Sequence, residues 1–270
     1  MENVYHKFHI PVMGTGHSID SPIRVAHLGI SSVMSIVDDI LIEKICKHYS
    51  EKYSIDFVET AKSDPYARSK RITAYLNVVD IIVSLKLNEI KLLPFEAGNE
   101  KTKYFDLLPD ESPLKKKYNY FLTIETEAEK EKVAAELTNL MRAGSIDVNI
   151  MSKLDRTNYA KDGTILSDEF NDAKAALRGY AESTLTSSIV FSAGFNRTLL
   201  GYLEQFKDFY RDANGKIKKK IIIKVSDFRS AMIQGKFLAS KGLEVSEFRI
   251  ESGLNCGGHA FASQGYLLPS

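Results

Sequence analysis

From about residue 120 onward, short apolar runs alternate with amphipathic stretches, and no other feature of the sequence constrains the fold as strongly. Each apolar run is followed by a short loop of polar residues or glycine and then by a stretch with helical periodicity. The runs that predict strands in this part of the chain span 146–151, 188–192, 221–224 and 248–251. Strand, loop and helix repeated in this order are the βα units of a parallel sheet.

Two further strands are predicted near the N-terminus, at residues 9–13 and 32–36. Between them, Ser21 as the cap and Pro22 in the first turn are typical of a helix start. Gly29 then predicts the C-terminal cap of this helix. The whole chain therefore offers about six parallel strands.

Residues 38–118 interrupt the alternation and predict a helical insertion within a single domain that covers 1–270. One amphipathic helix follows Asp38 and Asp39, which we interpret as helix N-terminal acids rather than a metal pair. A second helix is predicted over 64–90. Residues 91–118 contain three prolines and a glycine and are predicted to form a loop, with the lysines at 115–117 as a solvated charge run.

Composition excludes several classes of protein. The chain has 270 residues, a net charge of +1 and 44% hydrophobic residues, which is typical of a globular protein and gives no indication of a nucleic-acid or membrane partner. The two cysteines, Cys46 and Cys256, have no paired spacing, which argues against disulfides and zinc sites and favours the cytoplasm. Neither a signal peptide nor an apolar run of membrane-spanning length is found. We expect a small-molecule substrate, and the sequence leaves open whether the chain forms a homo-oligomer.

Repeated βα units fold either as an open doubly wound sheet or as a closed barrel. A Gly-x-Gly-x-x-Gly fingerprint follows none of the predicted strands, and this absence argues against a dinucleotide-binding Rossmann site. Gly14 and Gly16 lack the third glycine. The expected fold class is therefore α/β, of the (β/α)8 TIM-barrel type, incomplete with about six βα units.

Four segments of the chain resemble segments of one enzyme family. Each of the four contains a predicted strand or part of one. Residues 220–231 read KIIIKVSDFRSA, and residues 248–259 read FRIESGLNCGGH and end in a Gly-Gly-His turn. Residues 10–14 (IPVMG) and 147–150 (DVNI) are similar to the first and third strands of the same family. Together these segments resemble the flavin-dependent nitronate monooxygenases and the related flavin-type enoyl-acyl-carrier-protein reductases, which are TIM barrels that bind FMN.

The resemblance implies an FMN-dependent oxidoreductase that oxidises a small molecule. It implies that His259 is the catalytic base, and an imidazole with a pKa near 6.5 suits proton transfer at neutral pH. Glycines at the turn allow close backbone approach to a cofactor, and a lysine can neutralise charge on a reduced flavin. The resemblance implies the following flavin contacts: Met13, Gly14, Asn149, Lys224, Gly257 and Gly258.

The chain also departs from this family. The insertion at 38–118 is unusual for it, and the loops that hold the FMN phosphate in the family follow a seventh and an eighth strand. We therefore expect the chain to be a fragment that carries part of the site. Two alternatives stay open: a cofactor-free barrel lyase or isomerase, and a non-catalytic binding module.

Other candidate side chains have weaker support. His17 lies near the end of the first strand and could join the site, whereas Cys256 has no second cysteine nearby for redox chemistry. His27 and His48 fall on predicted helices and are interpreted as groups at the surface or at the edge of the core.

Overall fold

A computed structural model describes residues 19–150, 152, 155–192 and 194–250, together with the backbone of residues 9–10. Its six strands form one parallel sheet in the order β1-β2-β3-β4-β5-β6. The strands are β1 (His9–Ile10), β2 (Ser31–Ser35), β3 (Ile146–Asn149), β4 (Ser187–Phe191), β5 (Lys219–Val225) and β6 (Val245–Ile250). The predicted α/β class with an all-parallel sheet is confirmed, and each strand pairs with the next strand along the chain.

Helices connect the strands. They are α1 (Ser21–Val25), α2 (Asp39–Tyr53), α3 (Ala67–Leu92), α4 (Glu100–Asp106), α5 (Pro113–Leu122), α6 (Glu127–Leu140), α7 (Asp172–Glu182), α8 (Arg197–Tyr202) and α9 (Phe228–Ala239). Side-chain caps fix several of their starts, because the orphan N–H groups of a first turn need acceptors. The residues that accept such bonds are Asp38, Asn99, Ser112, Asn196 and Asp227.

Several predicted boundaries differ from the structure. Ser21 is the first residue of α1 rather than its cap, and Asp20 in the cap position makes no capping bond. Gly29 does end the following 3-10 turn with a φ of 79°, a conformation that glycine adopts without strain. Helix α8 stops at Tyr202 and is followed by 3-10 turns at Leu203–Gln205 and Lys207–Phe209, and β6 begins at Val245 rather than at residue 248.

The prediction of a loop over residues 91–118 is wrong. Helices α4 and α5 occupy most of this range, and Pro113 lies in the first turn of α5, where a proline is tolerated. The lysine run lies on α5 and is only partly solvated. Lys115 Nζ donates to the carbonyl oxygen of Phe105 at 3.0 Å, and Lys117 pairs with Glu136 of α6.

Buried apolar side chains form two clusters. The larger cluster joins one face of the sheet to α2, α3 and α7 and includes Met34, Tyr75 and Tyr180. The smaller one lies among the end of α3 and α4, α5 and α6, with Tyr104 and Phe105 at its centre. The helices between β2 and β3 therefore bury a core of their own in addition to their contacts with the sheet.

Side chains alternate across the sheet, so its second face carries the remaining strand residues. Val148 of β3 and Ile223 of β5 belong to the larger cluster, and their neighbours Asp147, Asn149 and Lys224 therefore point to the opposite face. Val190 and Ile222 are also buried on this second face.

One ion pair on this second face shows that the sheet is strongly curved. Arg249 Nη2 of β6 lies 2.6 Å from Asp147 Oδ2 of β3, although β4 and β5 lie between these strands. The pairings Asn149–Val190–Ile222 define one level across the sheet. Asp147 lies two residues before that level, and Arg249, which pairs with Lys224, lies two residues after it.

A flat sheet cannot accommodate this contact. Three strand spacings amount to about 14 Å and four residues along a strand to about 13 Å, so the two backbone positions would lie about 19 Å apart. An aspartate and an arginine side chain together do not span that distance. The face that carries Asp147 and Arg249 is therefore the concave side of a coiled sheet, and we call it the concave face.

Candidate functional site

The concave face brings two of the residues predicted from the sequence to the same side of the sheet. Asn149 is the last residue of β3, and Lys224 is the penultimate residue of β5. Because parallel strands end at a common edge, both lie near the carboxyl edge, where α/β proteins place their ligands. Asn149 is buried, and Lys224 is half-buried.

Three charged residues on the concave face form a cluster, Asp147–Arg249–Glu247. Arg249 Nη2 contacts Asp147 Oδ2 at 2.6 Å, and Arg249 Nε donates to Glu247. Burial lowers the pKa of Arg249, but hydrogen bonds and the charges of Glu247 and Asp147 outweigh it, so the net pKa is raised. Arg249 therefore stays protonated, and its guanidinium compensates the buried Asp147 carboxylate.

Asp147 and Arg249 were not predicted as site residues from the sequence. The available signal was their alternation with apolar residues in strands of a parallel sheet, which is buried on both faces. A charged side chain at such a position must find a partner inside the fold. The identity of that partner depends on sheet curvature, and the sequence pattern does not contain it.

The remaining predicted site residues lie outside the described part of the chain. These residues are Met13, Gly14, Gly257, Gly258 and His259, together with the weaker candidates His17 and Cys256. Their roles stay predictions.

A cavity of about 690 Å³ adjoins the carboxyl ends of β2 and β3. Its wall includes Arg68 of α3, whose three nitrogens bond to the Asp39 carboxylate at 2.7 Å and to the carbonyl oxygens of Val37 and Asp172. Arg156 opposite it pairs with Asp172 at 2.7 Å. The start of the long helix α3 is thus fixed beside the sheet edge that carries Asn149.

Asp38 and Asp39 have the structural roles that were predicted for them. Asp38 caps α2 by accepting from the backbone N–H groups of Ile40 and Leu41, each at 3.0 Å. Asp39 lies in the first turn of α2 and pairs with Arg68 and also with Arg71 at 2.9 Å. Within the described residues, no cluster of histidine, cysteine and acidic side chains has the arrangement of a metal site.

The histidine predictions have different outcomes. His48 is exposed on α2, as expected. His27, predicted as a group at the surface or at the edge of the core, is 1% exposed, and neither ring nitrogen has a hydrogen-bond partner among the residues that the structure describes. Burial is the largest cause of its lowered pKa of about 4, and Lys86 adds to the shift, whereas Glu100 at 3.7 Å opposes it.

Comparisons of the chain with protein-family models, with curated proteins and with solved structures gave no significant match. Among the helices of residues 19–250 that the structure describes, none is long and apolar enough to cross a membrane.

Proposed function

We propose that the chain is an FMN-dependent oxidoreductase of the nitronate-monooxygenase type, built on a sheet of the TIM-barrel type. The observation that carries the proposal is that Asn149 and Lys224 both point to the concave face near the carboxyl edge. Both were predicted as flavin contacts from a sequence resemblance that contains no information on side-chain direction. A random pair of strand residues would share this face and this edge only by chance.

Sheet curvature supports the barrel part of the proposal. The ion pair between Asp147 and Arg249 implies a shift of four residues over three strand steps. In an eight-stranded TIM barrel the shear is 8, which corresponds to about one residue per strand step. The shift is therefore close to what the tilted strands of such a barrel require.

The chemistry of the two side chains fits a flavin. The pyrimidine edge of the isoalloxazine ring offers amide-like donors and acceptors, and the Asn149 amide can act as both. Lys224 supplies a cation, and a positive charge near the ring favours the reduced form. When bound, FMN would supply the electron-accepting chemistry of the reaction.

The chain's own residues have three tasks under this proposal. Asn149 and Lys224 orient the ring against the concave face, and the backbone of Gly257 and Gly258 approaches it closely. His259 acts as the base that removes a proton from the carbon of the substrate that is oxidised. The cluster Asp147–Arg249–Glu247 lies on the same face, and its two ion pairs hold the three charged groups in fixed positions.

Absorbance of the purified full-length protein tests the proposal directly. We expect the visible bands of an oxidised flavin, either as isolated or after incubation with FMN and removal of the excess. The double variant Asn149→Leu/Lys224→Met should bind FMN at least about tenfold more weakly, which corresponds to about 1.4 kcal/mol. Lys236→Met, on the exposed face of α9, is the matched control and should leave FMN binding unchanged.

Catalysis and cofactor binding are separated by a second variant. His259→Ala should abolish turnover of a nitronate substrate while the protein retains its flavin spectrum. A colourless protein that takes up no FMN would contradict the proposal and favour the cofactor-free lyase or isomerase, or a binding module. Equal loss of FMN binding in the Lys236→Met control would also count against it.

A further inference from the structure

The last residue of β2, Ser35, has a buried hydroxyl group without a hydrogen-bond partner. Ser35 is 1% exposed, and its Oγ atom bonds to none of the residues that the structure describes. The large majority of buried side-chain hydroxyls are hydrogen-bonded, because a donor that leaves water without a new acceptor costs free energy. A ligand that supplies the acceptor would account for the hydroxyl of Ser35.

Ser35 lies on the concave face, next to Asn149. Met34 and its partner Val148 both belong to the larger apolar cluster, so the residues that follow them in β2 and β3 point to the opposite face. Ser35 pairs with Asn149 in the sheet register, and each is the last residue of its strand. Neighbouring strands are about 5 Å apart, so the two polar side chains lie side by side at the carboxyl edge.

Two other serines of β2 differ from Ser35 in one respect each. Ser31, at the start of the strand, points to the same face, but its Oγ accepts a hydrogen bond from Ser145 Oγ at 2.8 Å. Ser32 is fully buried, and its hydroxyl has no partner within the described part of the chain, but it points with Met34 to the face that the helices cover. Of the three, Ser35 combines an unpartnered hydroxyl with a position in the candidate site.

The sheet level that contains Ser35 separates polar from apolar side chains. Asn149 pairs with Val190 of β4, which in turn pairs with Ile222 of β5, and both of these apolar residues are buried. A ring with a polar edge and an apolar body would therefore place its polar edge over β2 and β3. The isoalloxazine ring has this division, because its pyrimidine edge contains the carbonyl oxygens and its other end is a dimethylbenzene.

Serine is suited to such a contact. Its hydroxyl can donate a hydrogen bond to a carbonyl oxygen while the amide of Asn149 bonds to a neighbouring atom of the same edge. The hydroxyl turns between staggered rotamers, so it can follow a ligand atom that approaches Asn149. Both side chains are held by a strand, which fixes their spacing before any ligand binds.

From this arrangement we infer that Ser35 is a further ligand-binding residue of the concave face, which donates a hydrogen bond to a carbonyl oxygen at the pyrimidine edge of FMN, beside Asn149. The inference rests on the proposed function, since it takes FMN as the ligand. The bound ring supplies the acceptor that the Ser35 hydroxyl lacks. The sequence resemblance implied no flavin contact on β2, so Ser35 adds a third strand to the ring contacts of β3 and β5.

The dissociation constant of FMN tests the inference. It is measured by titrating flavin-free full-length protein with FMN and following the flavin fluorescence. Ser35→Ala should weaken FMN binding about fivefold or more, because one hydrogen bond contributes a factor of roughly two to ten. Ser32→Ala removes an equally buried hydroxyl from the opposite face and is the matched control. Ser31→Ala removes a hydroxyl about 13 Å away along the strand, and both controls should bind FMN as the wild type does.

Urea unfolding of the same proteins without FMN separates ligand binding from a structural role. Ser35→Ala and Ser32→Ala should unfold at the same urea concentration as the wild type or at a higher one, because each loses an unpartnered hydroxyl. Ser31→Ala should unfold at a lower urea concentration, because it loses the bond from Ser145. The expected result for Ser35 is therefore weaker FMN binding without a loss of stability in the flavin-free protein.

Three results would overturn the inference. The first is FMN binding by Ser35→Ala that equals that of the wild type. The second is an equal weakening in Ser32→Ala, which would show that the effect comes from the strand and not from the hydroxyl. The third is a lower unfolding midpoint of flavin-free Ser35→Ala, which would show that the hydroxyl has a structural role. A wild-type protein that takes up no FMN would instead contradict the proposed function, and this inference with it, whereas the first three results can all be observed in a protein that binds FMN.

Discussion

The contact between Asp147 and Arg249 can be tested by a double-mutant cycle, because it exists only if the sheet is coiled. Replacing one partner of a fully buried ion pair costs about 3–5 kcal/mol, since a buried charge loses its compensation. Asp147 is 5% exposed, but the Arg249 side chain is 25% exposed, so we reduce the expected cost of Arg249→Met to about 2–3 kcal/mol.

The second variant removes the charge that Arg249 compensates. Asp147→Asn keeps the shape of the side chain, and Arg249 retains Glu247 as a partner, so we expect a cost of about 1–2 kcal/mol. In the double variant the stranded carboxylate is gone. The double variant should therefore lose about 1–3 kcal/mol less free energy of unfolding than the two single variants lose together.

Urea unfolding at neutral pH, analysed by linear extrapolation, measures all four free energies. Glu247→Gln is the control, because its side chain is 46% exposed and its pair with Arg249 should contribute less than about 1 kcal/mol. Additivity of Asp147→Asn and Arg249→Met within about 0.5 kcal/mol would refute the reasoning, since residues without contact show no coupling. The inference that the sheet is strongly curved would then fail, because it depends on the contact between Asp147 and Arg249.

Two further predictions concern burial. Because the pKa of His27 falls from 6.5 to about 4 on folding, the unfolded chain binds the proton more tightly, and stability present above pH 6.5 should be lost as the pH falls towards 4, by up to about 3 kcal/mol. Urea unfolding at several pH values should show this decrease in the free energy of unfolding, and His27→Leu should flatten it. An unchanged pH dependence in that variant would contradict the assignment. Gly179→Ala should destabilise the protein by about 1–3 kcal/mol in the same assay, because an added Cβ would lie 2.5 Å from the Ser69 carbonyl oxygen and 2.9 Å from Ile72 Cβ on α3. The control is Gly201→Ala on α8, where the atoms nearest to an added Cβ are 3.9 Å away, and this variant should lower the free energy of unfolding by less than about 1 kcal/mol.

Elements with strong local signals were predicted well from the sequence. The runs at 32–36, 146–151, 188–192 and 221–224 overlap strands β2 to β5, because β-branched and apolar residues at consecutive positions fit only strands buried on both faces. Asp227 has the residue type of a helix cap, and it caps α9 by accepting a bond from the Ser230 N–H at 2.7 Å. Such signals are local and need no knowledge of the remaining fold.

Elements that depend on distant packing were predicted less well. Residues 91–118 have the prolines and glycine of a loop, yet α4 and α5 form there because Tyr104, Phe105 and Phe121 are buried together in the smaller core. His27 is predicted at the surface or at the edge of the core, but it is buried where α3 and α4 pack against the 3-10 turn of residues 26–28.

The candidate site shows the same division. The sequence alone determined that Asn149 and Lys224 end strands of a parallel sheet, because strand ends follow from local composition. Only the tertiary structure decided that both point to a concave face, that Arg249 reaches Asp147 across two intervening strands, and that Ser35 lies beside Asn149 on this face. These relations depend on the register and coiling of the sheet, which result from the packing of many strands and helices and leave no mark in any single stretch of sequence.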